Sequence, residues 1–477
     1  MTEEASGESK ALTNNILKCR DDIKPVFFVR EGESTADAPK FKFSEGSSCS
    51  WAKSDDVLGP DNLRPRIEPW LTALCQSEHL SLLVGSGLTH AVHRLATGRP
   101  LPGMDTADFG EFHDRIGIES RKSAAAAGRD PGNLEDQIRV ANELLRGLEI
   151  LGSSDEQTRR KADALREKLA EVLAKFAASV LSGEYGLITA NKEKRENAYN
   201  YLVSFLMSFA SRTGTRDRLH LFTTNYDRFI EAGAEVAGMH LLDRFVGSIA
   251  PIFRSSRLDL DMHYNPPGIR GEPRYLEGVA RFTKLHGSVD WVACEQSIRR
   301  LGIPLGAKCL DSYLNALGAV AVNAMQLMVY PNAAKDRETA AYPYVELFRD
   351  FAAAACRPNH TLVAFGYGFG DEHINRVIED MLTIPSTHLV VIAYDDPLNR
   401  IMTTYERLGR HAQISLLVGD HIGEFRALVD HYLPKPAIDR TTFQMAELLK
   451  SRWGPTQAQG DGEGKSEAGL ATRESKA

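Results

Sequence analysis

Apolar positions along the chain fall into two kinds of pattern. Residues 81–84, 219–224, 282–285, 361–365, 388–394 and 414–418 are short, near-continuous apolar runs closed by glycine or polar turn residues. Runs of that length and composition are read as buried strands. Between them, apolar residues recur at helical spacing. Leu134, Ile138, Ala141, Leu144, Leu145 and Leu148 form one stripe, with Asn133 placed as its N-cap. Ala162, Leu165, Leu169, Val172, Leu173, Phe176 and Val180 form a second, and residues 196–210 give a third helix. Further helices are predicted over 63–75, 89–95, 229–236, 344–355, 372–382 and 422–433. Strands alternating with helices, with strands apolar throughout, predict a parallel sheet covered by helices on both faces.

That pattern is an α/β, Rossmann-like architecture with a large helical insertion at about 118–212, between the first strand and the next. It divides the chain into an N-terminal extension (1–60), partly disordered, and a main domain (61–435). A C-terminal helix (436–454) and a polar, disordered tail (455–477) follow. Phe27, Phe28, Val29, Phe41 and Phe43 in the extension suit short strands without indicating where they attach. Residues 98–117 read as a loop, and residues 245–278, rich in Pro, Gly and Arg, as a long loop or irregular lobe.

Composition narrows the class. A net charge of −7 gives no whole-chain basic field for nucleic acid, so direct nucleic-acid contact is not indicated. Six dispersed cysteines include no C-x-x-C pair, which fits reduced thiols and neither a disulfide framework nor a structural zinc knuckle. The first ten residues are polar, unlike a signal peptide, and the longest apolar stretch, 316–330, is interrupted by Asn323 and Gln326. A cytoplasmic protein without a membrane span is the expectation.

The unusual polar clusters all sit where predicted strands end: Gly85-Ser86-Gly87-Leu88-Thr89, Thr224-Asn225-Tyr226-Asp227, His286-Gly287-Ser288, Gly366-Tyr367-Gly368-Phe369-Gly370-Asp371, and Asp395. In open parallel sheets ligands bind beyond the carboxyl ends of the strands. A strand closing in Gly-x-Gly before a helix lets the backbone turn tightly beside a phosphate. Taken singly, each cluster has a plainer reading. Asn-x-Asp after a strand is commonly a helix-capping turn, and a lone histidine is most often a satisfied core residue. The glycine-rich run at 366–370 reads equally as a flexible loop, His90 and His93 as bystanders, and Trp291 as core or interface.

In this order, the four motifs resemble those of the sirtuin family, over about residues 80–430. The wording Thr223-Thr224-Asn225-Tyr226-Asp227 is similar to the divergent sirtuin-like domains of bacterial anti-phage defence proteins. The resemblance implies NAD as substrate. Gly85, Ser86, Gly87, Thr89 and Thr224 would hold the diphosphate and adjoining ribose, and Asn225 and Asp227 would line the nicotinamide pocket. His286 would act as base on the ribose hydroxyls, Gly366, Tyr367 and Asp371 would close over the adenosine side, and Asp395 would sit at the adenine end. Sirtuin deacylases carry a four-cysteine zinc module after His-Gly; only Cys294 and Cys309 lie near that place, so no zinc is expected and the peptide groove is in doubt. The sirtuin Asp-Phe-Arg element has no clean match; Asp108-Phe109-Gly110 and His113-Asp114-Arg115 are the nearest.

The expected activity is therefore NAD glycohydrolysis to nicotinamide and ADP-ribose, depleting NAD in anti-phage defence. Likeness to stand-alone sirtuin-like subunits implies a homo-oligomer and a HerA-type hexameric ATPase as partner. Competing expectations are NAD-dependent lysine deacylation, a non-catalytic NAD or ADP-ribose sensor, and a nuclease acting with an ATPase. For the last, the sequence offers no metal-carboxylate cluster.

Overall fold

A computed structural model describes residues 15–31, 39–101, 106–126, 133–212, 217–256, 260–264, 274–294, 297–314, 327–329 and 342–435. The expected C-terminal helix and tail, residues 1–14, and most of the apolar stretch 316–330 lie outside the described residues.

The organising element is a ten-stranded mixed sheet. Its strands, β1 to β10 in chain order, are Asn15–Lys18, Val26–Arg30, Phe41–Phe43, His79–Val84, Leu219–Thr223, His240–Leu242, Val279–Lys284, His360–Phe365, His388–Ala393 and Ile414–Val418. They lie in the order β3-β2-β1-β10-β9-β8-β4-β5-β7-β6. The seven from β10 to β6 are parallel, and the three N-terminal strands add an antiparallel edge through β1 on β10. The sheet is thus mixed, not purely parallel, and the aromatic N-terminal segment is where it departs. Asn15 locks that edge by donating to Asp420 at 2.8 Å and accepting from the backbone of His421.

Helices cover both faces, as the alternation in the strands requires. Leu82, Val84, Leu221, Val363 and Phe365 point to one side, against α1 (Pro60–Cys75), α2 (Ser86–Thr97), α6 (Lys192–Ala210) and α7 (Phe229–Val236). Leu83, Phe222, Leu362, Ala364 and Val391 point to the other, against Tyr344–Ala355 (α8), Glu372–Leu382 (α9) and Arg400–Leu408 (α10). Between α2 and α6 the insertion supplies His113–Ala126 (α3), Leu134–Leu151 (α4) and the 34-residue Glu156–Thr189 (α5). These pack around Ile116, Ile138, Leu165, Leu169 and Leu173, and that core continues into Tyr226 and Val289 below.

Three expectations change. The 98–117 loop is a helix from His113 onward, because Phe112 and Ile116 bury against α4. Part of 245–278 is regular: Phe245–Val246 and Ile252–Phe253 pair as short antiparallel strands in a second, five-stranded sheet that also holds Gly287–Cys294 and Ser297–Arg300. The predicted 422–433 helix is a short helical turn, Phe425–Ala427, running into a wider five-residue turn over Leu428–Tyr432.

The sheet buries several histidines in their neutral form. Burial depresses His220 and His360 to about 3 and His388 and His421 to about 4. His360, His388 and His421 each share a 2.9 Å hydrogen bond with a hydroxyl, of Ser81, Ser415 and Tyr432. A folded-state pKa below the unfolded value of ~6.5 means that the unfolded chain takes up more protons below that pH. Stability from these groups is complete above pH 6.5 and falls toward pH 4, by roughly 1 kcal/mol per pH unit for each histidine. Thermal melts should therefore be flat from pH 7 to 8 and drop steeply from pH 6.5 to 5. A melting temperature unchanged down to pH 5 contradicts this.

Candidate functional site

Register brings the sequence motifs together. Val84 is level with Phe365 on one side and with Thr223 on the other, and Thr223 is level with Lys284. Every motif therefore starts within a residue or two of a common line, at the carboxyl edge. Strand order reverses direction between β4 and β8: later strands run outward from β8 on one side and from β4 on the other. That is the topological switch point of the sheet, where the turns diverge and a crevice opens.

The glycines at this point serve the backbone. The Gly85 amide donates to Phe365 O at 2.9 Å and the Gly87 amide to Gly366 O at 3.0 Å. A Cβ on Gly87 would stand 2.6 Å from Gly366 Cα, and one on Gly366, whose φ is +59°, would stand 2.7 Å from Gly87 Cα. The two glycine amides thus bind the neighbouring turn, which leaves the Ser86 hydroxyl as the side-chain donor that this motif offers to a ligand. The helix begins at Ser86, three residues earlier than its apolar spacing predicts.

Two connected chambers lie over this edge. The inner one, about 410 Å³, is bordered by Gly85, Thr89, Thr224, Asn225, Asp227, His286 and Asp371. The outer one, about 820 Å³, is bordered by Gly87, Gly366 and Asp395. Ser86, His90, Tyr367, Gly368 and Arg400 border both. Both volumes fall within the roughly 300–1,000 Å³ usual for small-molecule sites. Every candidate residue named from the sequence lines one chamber or the other, with Asp395 confined to the outer one.

Inside the inner chamber the polar groups are strongly constrained. The Asn225 side-chain nitrogen donates to Gly85 O and to Thr89 Oγ1, both at 2.9 Å. Gly85 O can only accept, which fixes the amide orientation and leaves the Asn225 carbonyl oxygen as the group available to the chamber. Asp227 accepts from Thr89 Oγ1 at 2.6 Å and from the Phe229 amide at 3.1 Å. Its carboxylate therefore caps α7 and braces Thr89, the capping role that an Asn-x-Asp turn commonly has. Lys284, 2 % exposed at the end of β7, holds the Asp227 carbonyl and Glu231.

His286 sits where the chain leaves β7 for the second sheet, a reversal that needs φ +88° at Gly287. Its Nε2 lies 2.9 Å from a carboxylate oxygen of Asp371. Asp371 begins α9 but makes no side-chain capping bond, so its carboxylate is turned to the histidine and not to the helix end. The 366–371 turn is no flexible loop: Tyr367 and Phe369 are buried, Tyr367 Oη donates to Asn375 Oδ1 at 3.0 Å, and Asn375 donates to Phe369 O at 2.9 Å. Trp291 is core, with its ring centroid 4.8 Å from that of Phe245.

Sequence reasoning missed the roof. Glu135 of α4 and Phe176, Ser179, Val180 and Gly183 of α5 border the inner chamber. Phe176 meets Tyr226 edge-on at 5.4 Å. His90, read as a bystander, borders both chambers, whereas His93 packs on Arg99 O. The Phe176 and Val180 stripe did mark a packing face of α5, but no signal in it shows that the same face roofs a cavity. Glu184 fastens this roof to the motif turn, accepting from the Arg228 amide at 2.9 Å and from its guanidinium at 3.1 and 2.6 Å. Burial pushes the Glu184 carboxyl up, against the pull of Arg228.

Residues 219–416 match the family model of the SIR2-like domain. Proteins of that class are generally NAD-dependent enzymes. The matched segment begins at β5, so β4, the glycine turn and the helical insertion precede it. No curated protein matches the chain. No group of three or more His, Cys, Asp or Glu able to hold a metal ion occurs among the described residues. No helix among them is long and apolar enough to cross a membrane.

Because Glu184 is fully buried, removing its carboxylate strands the Arg228 charge. Glu184→Ala should cost about 3–5 kcal/mol in denaturant unfolding. A cost below about 1 kcal/mol would show that the fork does not hold the insertion down.

Proposed function

We propose that the protein is an NAD glycohydrolase, releasing nicotinamide and ADP-ribose. The observation that carries this reading is the inner chamber, where the Asn225 carbonyl oxygen and the His286–Asp371 pair border one cavity that residues of the protein's own insertion also line. Cleaving the nicotinamide bond passes through a cation-like ribose, which needs an oriented oxygen nucleophile and charge balance more than covalent help. Asn225 accepts a hydrogen bond from water without competing as a nucleophile. Asp371 holds the His286 ring, which exchanges a proton with a ribose hydroxyl. Ser86 and Arg400, where the chambers meet, suit a diphosphate at the start of α2, and the outer chamber with Asp395 suits the adenosine end. The SIR2-like match supports NAD as the substrate.

The roof also favours hydrolysis over deacylation. Residues of α4 and α5 border the cavity, which supports a small acceptor such as water over an acyl-lysine. The likeness to stand-alone sirtuin-like subunits supports control through homo-oligomerisation or a HerA-type ATPase, with NAD depletion serving anti-phage defence.

The test measures nicotinamide and ADP-ribose release from NAD, alone, with an acetylated peptide and with a candidate ATPase. Turnover should need no peptide, and Asn225→Ala and His286→Ala should each lower it by about 10²–10⁴. Asp371→Asn should lower kcat and displace its pH profile. Turnover that requires peptide would make this a deacylase; NAD binding without turnover in any arm would make it a sensor.

A further inference from the structure

The chamber holds four carboxylates besides its histidines and amide, and three of them are committed. Asp227 caps α7, Asp371 lies on His286, and Asp136, 1 % exposed, accepts from the Asn133 amide in the box that starts α4. The fourth, Glu135, borders the same cavity and makes no hydrogen bond or ion pair with any described residue. It stands in the first turn of α4, where the N-terminal end of the helix favours a negative charge. It is only partly exposed, and it belongs to the insertion while lining the same chamber as the strand-end motifs.

We propose that Glu135 is a catalytic residue, the base that takes a proton from the attacking water. This assignment rests on the hydrolase reading above. The balance of the reaction calls for such a group. The water oxygen forms a bond to the ribose anomeric carbon, the carbon–nitrogen bond breaks with its electron pair going to nicotinamide, and one water proton must leave. Asn225 offers a neutral carbonyl oxygen, which holds the water through one hydrogen but takes up no proton. The His286 nitrogen nearest a partner faces Asp371. Glu135 has the uncommitted carboxylate, and it lines the chamber that also holds Asn225 and His286. A deacylase, whose nucleophile is the acyl oxygen of its substrate, has no proton to remove from water at that step. The glutamate therefore belongs to the hydrolytic outcome in particular, and the insertion contributes chemistry as well as closure.

The experiment compares full-length wild type with Glu135→Gln and Glu135→Asp, following nicotinamide release from NAD across pH 5–9 under whichever condition activates the wild type. Glu135→Gln should melt with the wild type, since the side chain makes no bond to lose. It should lower kcat at least 100-fold and change KM for NAD less than threefold. Added formate should restore part of its rate, and Glu135→Asp should retain an intermediate rate. Wild-type turnover with an undiminished Glu135→Gln would overturn the assignment alone, as would equal losses of kcat and of NAD binding. No wild-type turnover in any arm would overturn the hydrolase reading, and this assignment with it.

Discussion

Everything in this molecule depends on how closely two turns can approach at the centre of the sheet. β4 and β8 are adjacent and parallel, and both stop at a glycine: Gly85 and Gly366. Backbone of one turn then bonds backbone of the other, through Gly85 to Phe365 and Gly87 to Gly366. There is no room for a single methyl group at either Gly87 or Gly366. This contact does two things at once. It carries the sheet's hydrogen bonding past the strand ends, and it holds the start of α2 against the turn that carries Tyr367 and Asp371. A side chain there would separate the two halves of the crevice that the candidate site spans.

That constraint explains how the site is divided. One half, after β8, is stiffened by buried Tyr367 and Phe369 and by the Asn375 side chain, and it delivers Asp371 to His286. The other half, after β5, is stiffened by the Asn225–Thr89–Asp227 chain of hydrogen bonds. Each polar group is held by partners that are themselves hydrogen-bonded, so the side chains are oriented without a ligand. Such preorganisation is the usual physical basis for charge stabilisation in a closed site.

The sequence revealed much of this because of the kind of sheet involved. Parallel strands buried on both faces read as apolar runs, and their common register puts whatever follows each run at one edge. Asn225, His286 and Asp371 could thus be gathered into one place from strand ends alone. What could not be read depends on contacts between residues far apart in sequence. The N-terminal strands are legible as aromatic stretches, but only pairing with β10 says where they go. Asp371 directly precedes a helix, and no local pattern shows that its carboxylate turns to His286, 85 positions earlier. The start of α3 was hidden by glycines and a proline nearby, since burial of Phe112 and Ile116 outweighed local propensity.

The insertion is the clearest case of that limit. Its stripes of Leu, Val and Phe mark packing faces correctly, yet its helices also close a chamber over residues from a different part of the chain. The mechanical link is the Glu184–Arg228 fork, with Phe176 on Tyr226 beside it. Arg228 directly follows Asp227, so α5 is tied to the same turn that orients Asn225. Displacing the lobe would drag on that turn, and displacing the turn would unseat a buried ion pair. Roof and motif are therefore tied by the same buried pair. A site assembled this way has its lower wall set by backbone contact at the glycines and its upper wall set by a shared apolar core together with a buried charge pair.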